Sequence, residues 1–166
     1  MCPPSTASGR DRAQEFLPDL LARAAHAVVQ GFAADLRERG ASLPVWRALA
    51  ALLAQPGETV TGLAEACLLQ QPTMTKLLDR MARDGLVTRS QDARDRRLIR
   101  VALTPRGKRL ASRLLAVAER HEAEMMARHP QAAAIKPVLR DIITRPGPAP
   151  PRHARGGEDA SGEEDT

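Results

Sequence analysis

Tyrosine is absent from this 166-residue chain, and two phenylalanines and one tryptophan are its only aromatic residues. With aromatics at 2%, the core has to be assembled from Leu, Ala, Val and Met, a composition that favours helices over a β-sandwich. Cysteine is nearly as scarce. Cys2 and Cys67 are too few for a disulfide framework or a four-ligand zinc site, and they point to a reducing cytoplasm. Long hydrophobic runs are missing too. The longest strictly apolar stretch, residues 48–54, falls far short of the roughly 20 residues that span a bilayer, and the first ten residues lack the apolar centre of a secretory signal. Membrane insertion is therefore not expected. Nor does the chain offer a nucleophile–base pair or a glycine-rich phosphate loop. His26, His121 and His129 are too scattered to propose a metal site. No enzyme activity, metal or cofactor is indicated.

What the chain has is 43% hydrophobic residues, a formal net charge of +5 and a pI near 10.2, in a length suited to one folded domain with tails. The charge is unevenly spread. Residues 72–113 hold twelve Lys and Arg against four Asp and Glu, whereas residues 1–71, 114–144 and 145–166 carry net charges of −1, 0 and −2. A surplus of eight confined to one segment reads as a phosphate-binding surface rather than a generally solvated face.

Periodicity divides the chain further. Residues 1–12, rich in Pro, Ser and Gly, read as a flexible arm. Over residues 13–39, Phe16, Leu20, Leu21, Ala24, Ala27, Val28, Phe32 and Leu36 recur at three and four, predicting a long amphipathic helix that stops at Gly40. A second helix is predicted over residues 44–55, with Pro44 in its first turn and Pro56-Gly57 at its end. Thr59 or Thr61 can cap a short third helix through Leu63, Ala64 and Leu68. Gly62 stands where a capping box wants a glutamate, so this helix start is expected to be weak. A fourth helix opens at Gln71-Pro72 and stops near Asp84-Gly85. Residues 86–89 and 97–103 then alternate as two strands of a hairpin, with Ile99, Val101 and Leu103 on one face. Thr104-Pro105 opens a long fifth helix running to about residue 129. A sixth is predicted over residues 130–144, bent or begun at Pro137. Residues 145–166, rich in Pro, Gly and acid, read as a disordered tail.

On the fourth helix Met74, Leu77, Leu78 and Met81 form a core-facing stripe, while Thr73, Lys76, Arg80 and Arg83 line the other side. A short helix, a tight turn and this helix match a helix-turn-helix, whose second helix enters the major groove by its N-terminal residues. Gln71, Thr73 and Thr75 are candidates for base edges, and Lys76 and Arg80 for phosphate or guanine. The hairpin tip, with Arg94, Arg96 and Arg97, is a cationic projection able to enter a minor groove or straddle a backbone. Asp95 among them reads as structural. The bland alternative is a surface helix of an ordinary bundle, and the charged hairpin weighs against it.

Several runs closely resemble the MarR (multiple antibiotic resistance regulator) family. They are Leu63-Ala64-Glu65, Gln71-Pro72-Thr73-Met74-Thr75-Lys76-Leu77-Leu78-Asp79-Arg80-Met81, Asp84-Gly85-Leu86-Val87-Thr88-Arg89, Asp92-Ala93-Arg94-Asp95-Arg96-Arg97 and Leu103-Thr104-Pro105-Arg106-Gly107. The resemblance covers roughly residues 15–144, and its most specific part is the wing signature closed by Leu-Thr-x-x-Gly. It implies a mainly α fold with a small β-hairpin wing. That winged helix-turn-helix lobe, over about residues 44–105, would stand on a homodimer built from helices over about 13–39 and 105–144. It further implies DNA contacts by Gln71, Pro72, Thr73, Thr75, Lys76 and Arg80. Arg94 would be the minor-groove wing residue, Arg96 its near rival, and Asp95 with Arg97 the supporting ion pair.

Trp46 and Arg47, with His26, fall where such proteins hold small-molecule effectors, although a lone tryptophan is more often core packing. Cys67 reads as a buried, inert thiol rather than a redox switch. The expected function is a cytoplasmic, ligand-responsive repressor, effector unknown, that binds double-stranded DNA at a pseudo-palindromic operator. The rival is a winged-helix module that docks proteins without reading DNA.

Overall fold

The structure, a computed structural model, describes residues 15–145. The arm expected over residues 1–12, and all of the tail expected over 145–166 except Arg145, lie outside them. Two compact units divide the chain, Met1–Met125 and Met126–Thr166.

In the first unit, α1 (Leu17–Glu38) ends at Gly40, whose φ of +72° lets the chain reverse. Gly40 N–H donates to the Arg37 carbonyl and Ala41 N–H to that of Leu36, satisfying the last turn. α2 (Leu43–Ala54) follows with Pro44 in its first turn. Next come β1 (Glu58–Thr59), α3 (Val60–Ala66), α4 (Gln71–Arg83), β2 (Val87–Gln91), β3 (Ile99–Leu103) and α5 (Pro105–Arg128). The three strands form one antiparallel sheet in the order β1-β3-β2, with Glu58 opposite Val101 and Val87 opposite Leu103. The fold is therefore mainly helical with a small wing. β1 was not foreseen, because two residues are too few to show an alternating pattern.

The core is aliphatic, as the shortage of aromatics requires. Leu36, Leu49, Leu63, Met74, Leu78, Val101 and Leu114 are fully buried, and no polar or charged residue among those described is buried. Burying Met74, Leu77, Leu78 and Met81 stabilises the seating of α4 by roughly 6–12 kcal/mol before entropy is charged against it. That gain outweighs the strain in the turn before it. There Leu68 adopts φ +57° with its side chain 79% exposed, a left-handed conformation that costs an L-residue about 1–2 kcal/mol.

Gly62 proves to have a positive reason. The Thr59 hydroxyl accepts from Gly62 N–H at 3.0 Å, so the cap forms. The Glu58 carboxylate accepts from Thr59 N–H at 2.6 Å and lies where a Cβ on residue 62 would stand. The acid thus reaches the helix start from before the cap instead of from the third helical position.

Leu103-Thr104-Pro105-Arg106-Gly107 works as a clamp. The Thr104 hydroxyl donates to the Gly85 carbonyl at 2.6 Å and accepts from Gly107 N–H at 3.0 Å. A Cβ on Gly107 would collide with the Leu86 carbonyl, so only glycine lets α5 begin this close to the start of β2.

In the second unit, α6 (Ala132–Thr144) starts five residues before Pro137 and runs through it, so Pro137 does not mark its start. The missing proline N–H costs the helix one bond. Among the described residues no helix is long and apolar enough to cross a membrane.

Two substitutions test this account by urea denaturation. Leu68→Gly, which relieves the left-handed residue and removes little packing, is expected to stabilise the protein by about 0.5–1 kcal/mol. Gly107→Ala is expected to destabilise it by about 1–3 kcal/mol through overpacking against the Leu86 carbonyl. Equal stability of all three proteins would refute both claims.

Candidate nucleic-acid interface

The turn from α3 to α4 is short because two backbone bonds close α3 abruptly: Cys67 N–H donates to the Leu63 carbonyl, and Leu69 N–H to that of Ala64. Arg47 on α2 donates to the Cys67 carbonyl at 3.3 Å, holding this end of α3 against its neighbour. α4 then starts at Gln71 with no side chain capping it. Pro72 has no N–H to leave unsatisfied, and the remaining free N–H groups of the first turn form a partial positive charge open to an anion.

Gln71, Pro72, Thr73, Thr75, Lys76 and Arg80 are all exposed, opposite the buried stripe of Met74, Leu77, Leu78 and Met81. They share a surface but differ in freedom. Gln71 Nε2 donates to the Thr61 hydroxyl at 3.1 Å, tying α4 to α3. The Thr75 hydroxyl donates to the Gln71 carbonyl at 3.0 Å; with its proton so engaged, it faces a partner as an acceptor.

The wing is braced at two places that sequence reasoning missed. Arg89 on β2 donates to Asp79 Oδ1 at 2.6 Å and to the Thr75 carbonyl at 3.0 Å, locking the hairpin onto α4. Asp92 organises the tip. Its Oδ1 accepts from Arg94 N–H at 2.7 Å and Asp95 N–H at 2.9 Å, while Oδ2 accepts from Arg100 Nε at 2.6 Å. Arg100 also donates to the Gly57 carbonyl at 3.1 Å, joining the wing to the loop before β1. The Asp95 N–H bond above all, with the Arg100 side chain and the Arg94 N–H, lowers the Asp92 carboxyl from 3.8 to about 2. Aspartate's habit of bonding the backbone two and three residues on was the available signal.

Asp95 and Arg97, the predicted supporting pair, approach to 3.5 Å with Arg97 almost wholly exposed, and Asp95 also accepts from Arg97 N–H at 3.0 Å. Arg94 and Arg96 are exposed at the tip. Apart from Arg97, paired with Asp95, the cations of α4 and the wing thus sort into two groups. Arg89 and Arg100 are spent on bracing. Lys76, Arg80, Arg83, Arg94 and Arg96 have no ion-pair partner among the described residues, which leaves an uncompensated array suited to a polyanion.

The candidate effector residues each make contacts of their own. Trp46 packs edge-on against Phe32, ring centroids 5.9 Å apart, and Phe32 lies 5.5 Å from His121. His121 Nδ1 is 3.5 Å from Asp35. Arg47 is engaged with the Cys67 carbonyl, and exposed His26 contacts Gln30. Cys67 itself is fully buried. Burial pushes its thiol up, with Arg47 partly opposing, so little thiolate is present at neutral pH.

Residues 39–98 match the sequence model of the MarR family. Among solved structures, a MarR-family transcriptional regulator of Silicibacter pomeroyi is 37% identical, with a TM-score of 0.71 over 79% of this chain and 95% of that one. The Bordetella bronchiseptica regulator BpsR, described with regulation of its DNA binding by 6-hydroxynicotinic acid, is 25% identical, with a TM-score of 0.69 over 80% of this chain and 96% of that one. A Mycobacterium tuberculosis MarR family protein in complex with salicylic acid is 29% identical, with a TM-score of 0.64 over 76% of this chain and 96% of that one.

The depressed Asp92 carboxyl gives the wing a defined pH response. Because the folded value lies below the ordinary one, the brace contributes fully above pH 3.8 and is lost as pH falls through about 2. The Arg94 and Asp95 amide NMR signals are expected to stay in place from pH 7 to pH 4 and to move only near pH 2. Asp92→Ala should speed hydrogen exchange at those amides at pH 7 while the core amides of α4 keep their protection. A titration centred near pH 4, or unchanged exchange, would refute the brace.

Proposed function

The chain belongs to the MarR family of winged-helix transcriptional regulators, and from that premise we propose that it is a cytoplasmic DNA-binding repressor. In this reading it occupies a pseudo-palindromic operator as a homodimer and is released by a small-molecule effector. The observation that carries the DNA reading is the array of Lys76, Arg80, Arg83, Arg94 and Arg96, exposed and without ion-pair partners among the described residues. α4 supplies base readout from Gln71, Thr73 and Thr75 with phosphate contacts from Lys76 and Arg80. The wing supplies Arg94, seconded by Arg96, to the minor groove, with Asp95 and Arg97 shaping the tip. A protein-docking module has no need of a projecting, uncompensated cationic tip.

Dimerisation draws its support from apolar side chains the protomer leaves uncovered. On α1 and just before it, Phe16, Leu17, Leu20 and Val28 are exposed; on α6, Ile135, Val138, Ile142 and Ile143 are exposed. A soluble chain avoids such patches unless a second copy covers them. Residues 13–39 and 105–144 are accordingly assigned to the dimer and residues 44–105 to the DNA-binding lobe, with recognition helices about 34 Å apart across the two-fold axis. The effector reading attaches to Trp46, with Arg47 and His26 as weaker candidates, and relatives described with salicylic or 6-hydroxynicotinic acid make an aromatic acid the first class to try.

Fluorescence-anisotropy titration on operator and random duplex, at two salt concentrations, separates positioning residues from reading residues. Arg94→Ala and Lys76→Ala should weaken binding to both duplexes without unfolding the protein, and Lys76→Ala should flatten the salt dependence by about one ion. Thr73→Ala and Thr75→Ala should cost on the order of 1–3 kcal/mol on operator and much less on random duplex. Four silent variants on a verified operator, or no salt-sensitive binding by the parent, would end the DNA reading.

Light scattering at micromolar concentration should return about twice 18.0 kDa, and a monomer there would remove the palindrome.

A further inference from the structure

One hydrogen bond on the DNA face joins two exposed side chains from different helices. Gln71, the first residue of α4, donates from Nε2 to the hydroxyl of Thr61 on α3 at 3.1 Å, across ten residues of chain. A bond so exposed adds little to stability, because water competes for both partners. Its effect is on position. We propose that Thr61 is a positioning residue for base reading, holding the Gln71 amide in a presentation that favours adenine over guanine. The inference rests on the DNA reading of α4 and names a residue that acts in it through another side chain.

The argument starts from what the amide can offer. Glutamine carries one carbonyl oxygen and two N–H donors on a single nitrogen. Adenine presents an acceptor at N7 and a donor at N6 in the major groove, so a bidentate glutamine spends one N–H and its oxygen there. Guanine presents two acceptors, O6 and N7, and an amide meets both only by turning its two N–H groups to them. With one N–H already given to Thr61, the second N–H and the oxygen remain, which is the adenine set. Double donation to guanine would require breaking the Thr61 bond.

Both ends of that bond stand on anchored backbone. Thr61 lies in the first turn of α3, where the Thr59 hydroxyl accepts from Gly62 N–H at 3.0 Å, Glu58 and Thr59 pair with β3, and Leu63 and Ala64 are buried. Its β-branched side chain has few rotamers to choose from. On α4 the Gln71 carbonyl accepts from the Thr75 hydroxyl at 3.0 Å, and the Thr75 carbonyl accepts from Arg89 at 3.0 Å. The free protein therefore restrains an otherwise flexible glutamine before duplex arrives, and less ordering entropy is charged to binding.

The test begins with duplexes selected by the parent protein from a randomised pool, followed by anisotropy titration of each single base-pair change. Gln71→Ala identifies the pair that Gln71 reads as the one whose preference it erases, and adenine is expected there. Thr61→Val keeps the shape and removes the acceptor. It should lower the adenine-over-guanine affinity ratio at that pair by about 3- to 10-fold, with the ratios at other pairs and the affinity for random duplex unchanged. Thr61→Ser, which keeps a hydroxyl, should keep the parent's ratio, and in the Gln71→Ala background Thr61→Val should add nothing. A second measurement needs no DNA: the Gln71 side-chain amide should give a high heteronuclear NOE in the parent and in Thr61→Ser, and a low one in Thr61→Val. A threonine with a structural role alone would weaken binding to every duplex equally, and that outcome overturns the proposal. So does a Gln71 amide equally mobile in the parent and Thr61→Val, a guanine preference at the Gln71 pair, or no pair that answers to Gln71. In each of these cases sequence-specific binding by the parent leaves the DNA reading intact. A parent that binds no duplex with salt-sensitive affinity would end that reading, and this inference with it.

Discussion

The arrangement of this protein depends on one constraint: α4 has to be held rigidly by its apolar face while the cations of its polar face stay unneutralised. Met74, Leu77, Leu78 and Met81 meet the first half by burial. The second half is met by the way the neighbouring acids are used. Asp79 and Asp92 are bonded at 2.6 Å to arginines that build the wing, and Asp95 turns toward Arg97 and its N–H. A local surplus of positive charge survives in a segment that contains four acids, because cations outnumber them three to one and three of the four, Asp79, Asp92 and Asp95, are engaged by arginines of the wing. Self-repulsion among the free cations is tolerable on an exposed, screened surface, and a duplex would relieve it as the cations displace counterions condensed on its phosphates.

The hairpin shows the same economy at smaller scale. A two-stranded ribbon is marginal by itself, and this one gains a third strand of two residues, a link to α4 through Arg89 and a link to the β1 loop through Arg100. Asp92 makes the tip a defined turn by accepting two backbone N–H bonds and one guanidinium. The exposed Arg94 and Arg96 are therefore presented on a backbone in which the N–H groups of Arg94, Asp95, Arg97 and Leu98 are all bonded. The pre-organisation matters more than any one ion pair, since exposed pairs stabilise by little.

At the other end of the wing, the Thr104 hydroxyl and the missing Cβ of Gly107 let α5 start in contact with the Leu86 carbonyl. This close approach fixes the sheet relative to the first turns of α5. Leu68 is the counterpart on the other side of α4, a left-handed residue kept in place by the burial that follows it.

Much of this was legible from residues alone. The helical stripes, the stops at Gly40 and Gly85, the cap at Thr104 and the basic segment are local properties: periodicity, chirality and charge are written into neighbouring positions. The exposed set Gln71, Thr73, Thr75, Lys76, Arg80, Arg94 and Arg96 followed from the same logic. The sequence could not show which charges remain free. Arg89 and Arg96, or Asp92 and Asp84, look equivalent along the chain, yet only folding brings Arg89 to Asp79 and Thr75 across ten and fourteen residues, and Arg100 to Gly57 across forty-three. Nor could it show that Gly62 makes room for Glu58, or that Trp46 meets Phe32 edge-on. Local pattern determined which residues could carry charge to a surface. Tertiary structure decided which of them would, because a hydrogen bond between distant residues depends on the packing of the elements that bear them.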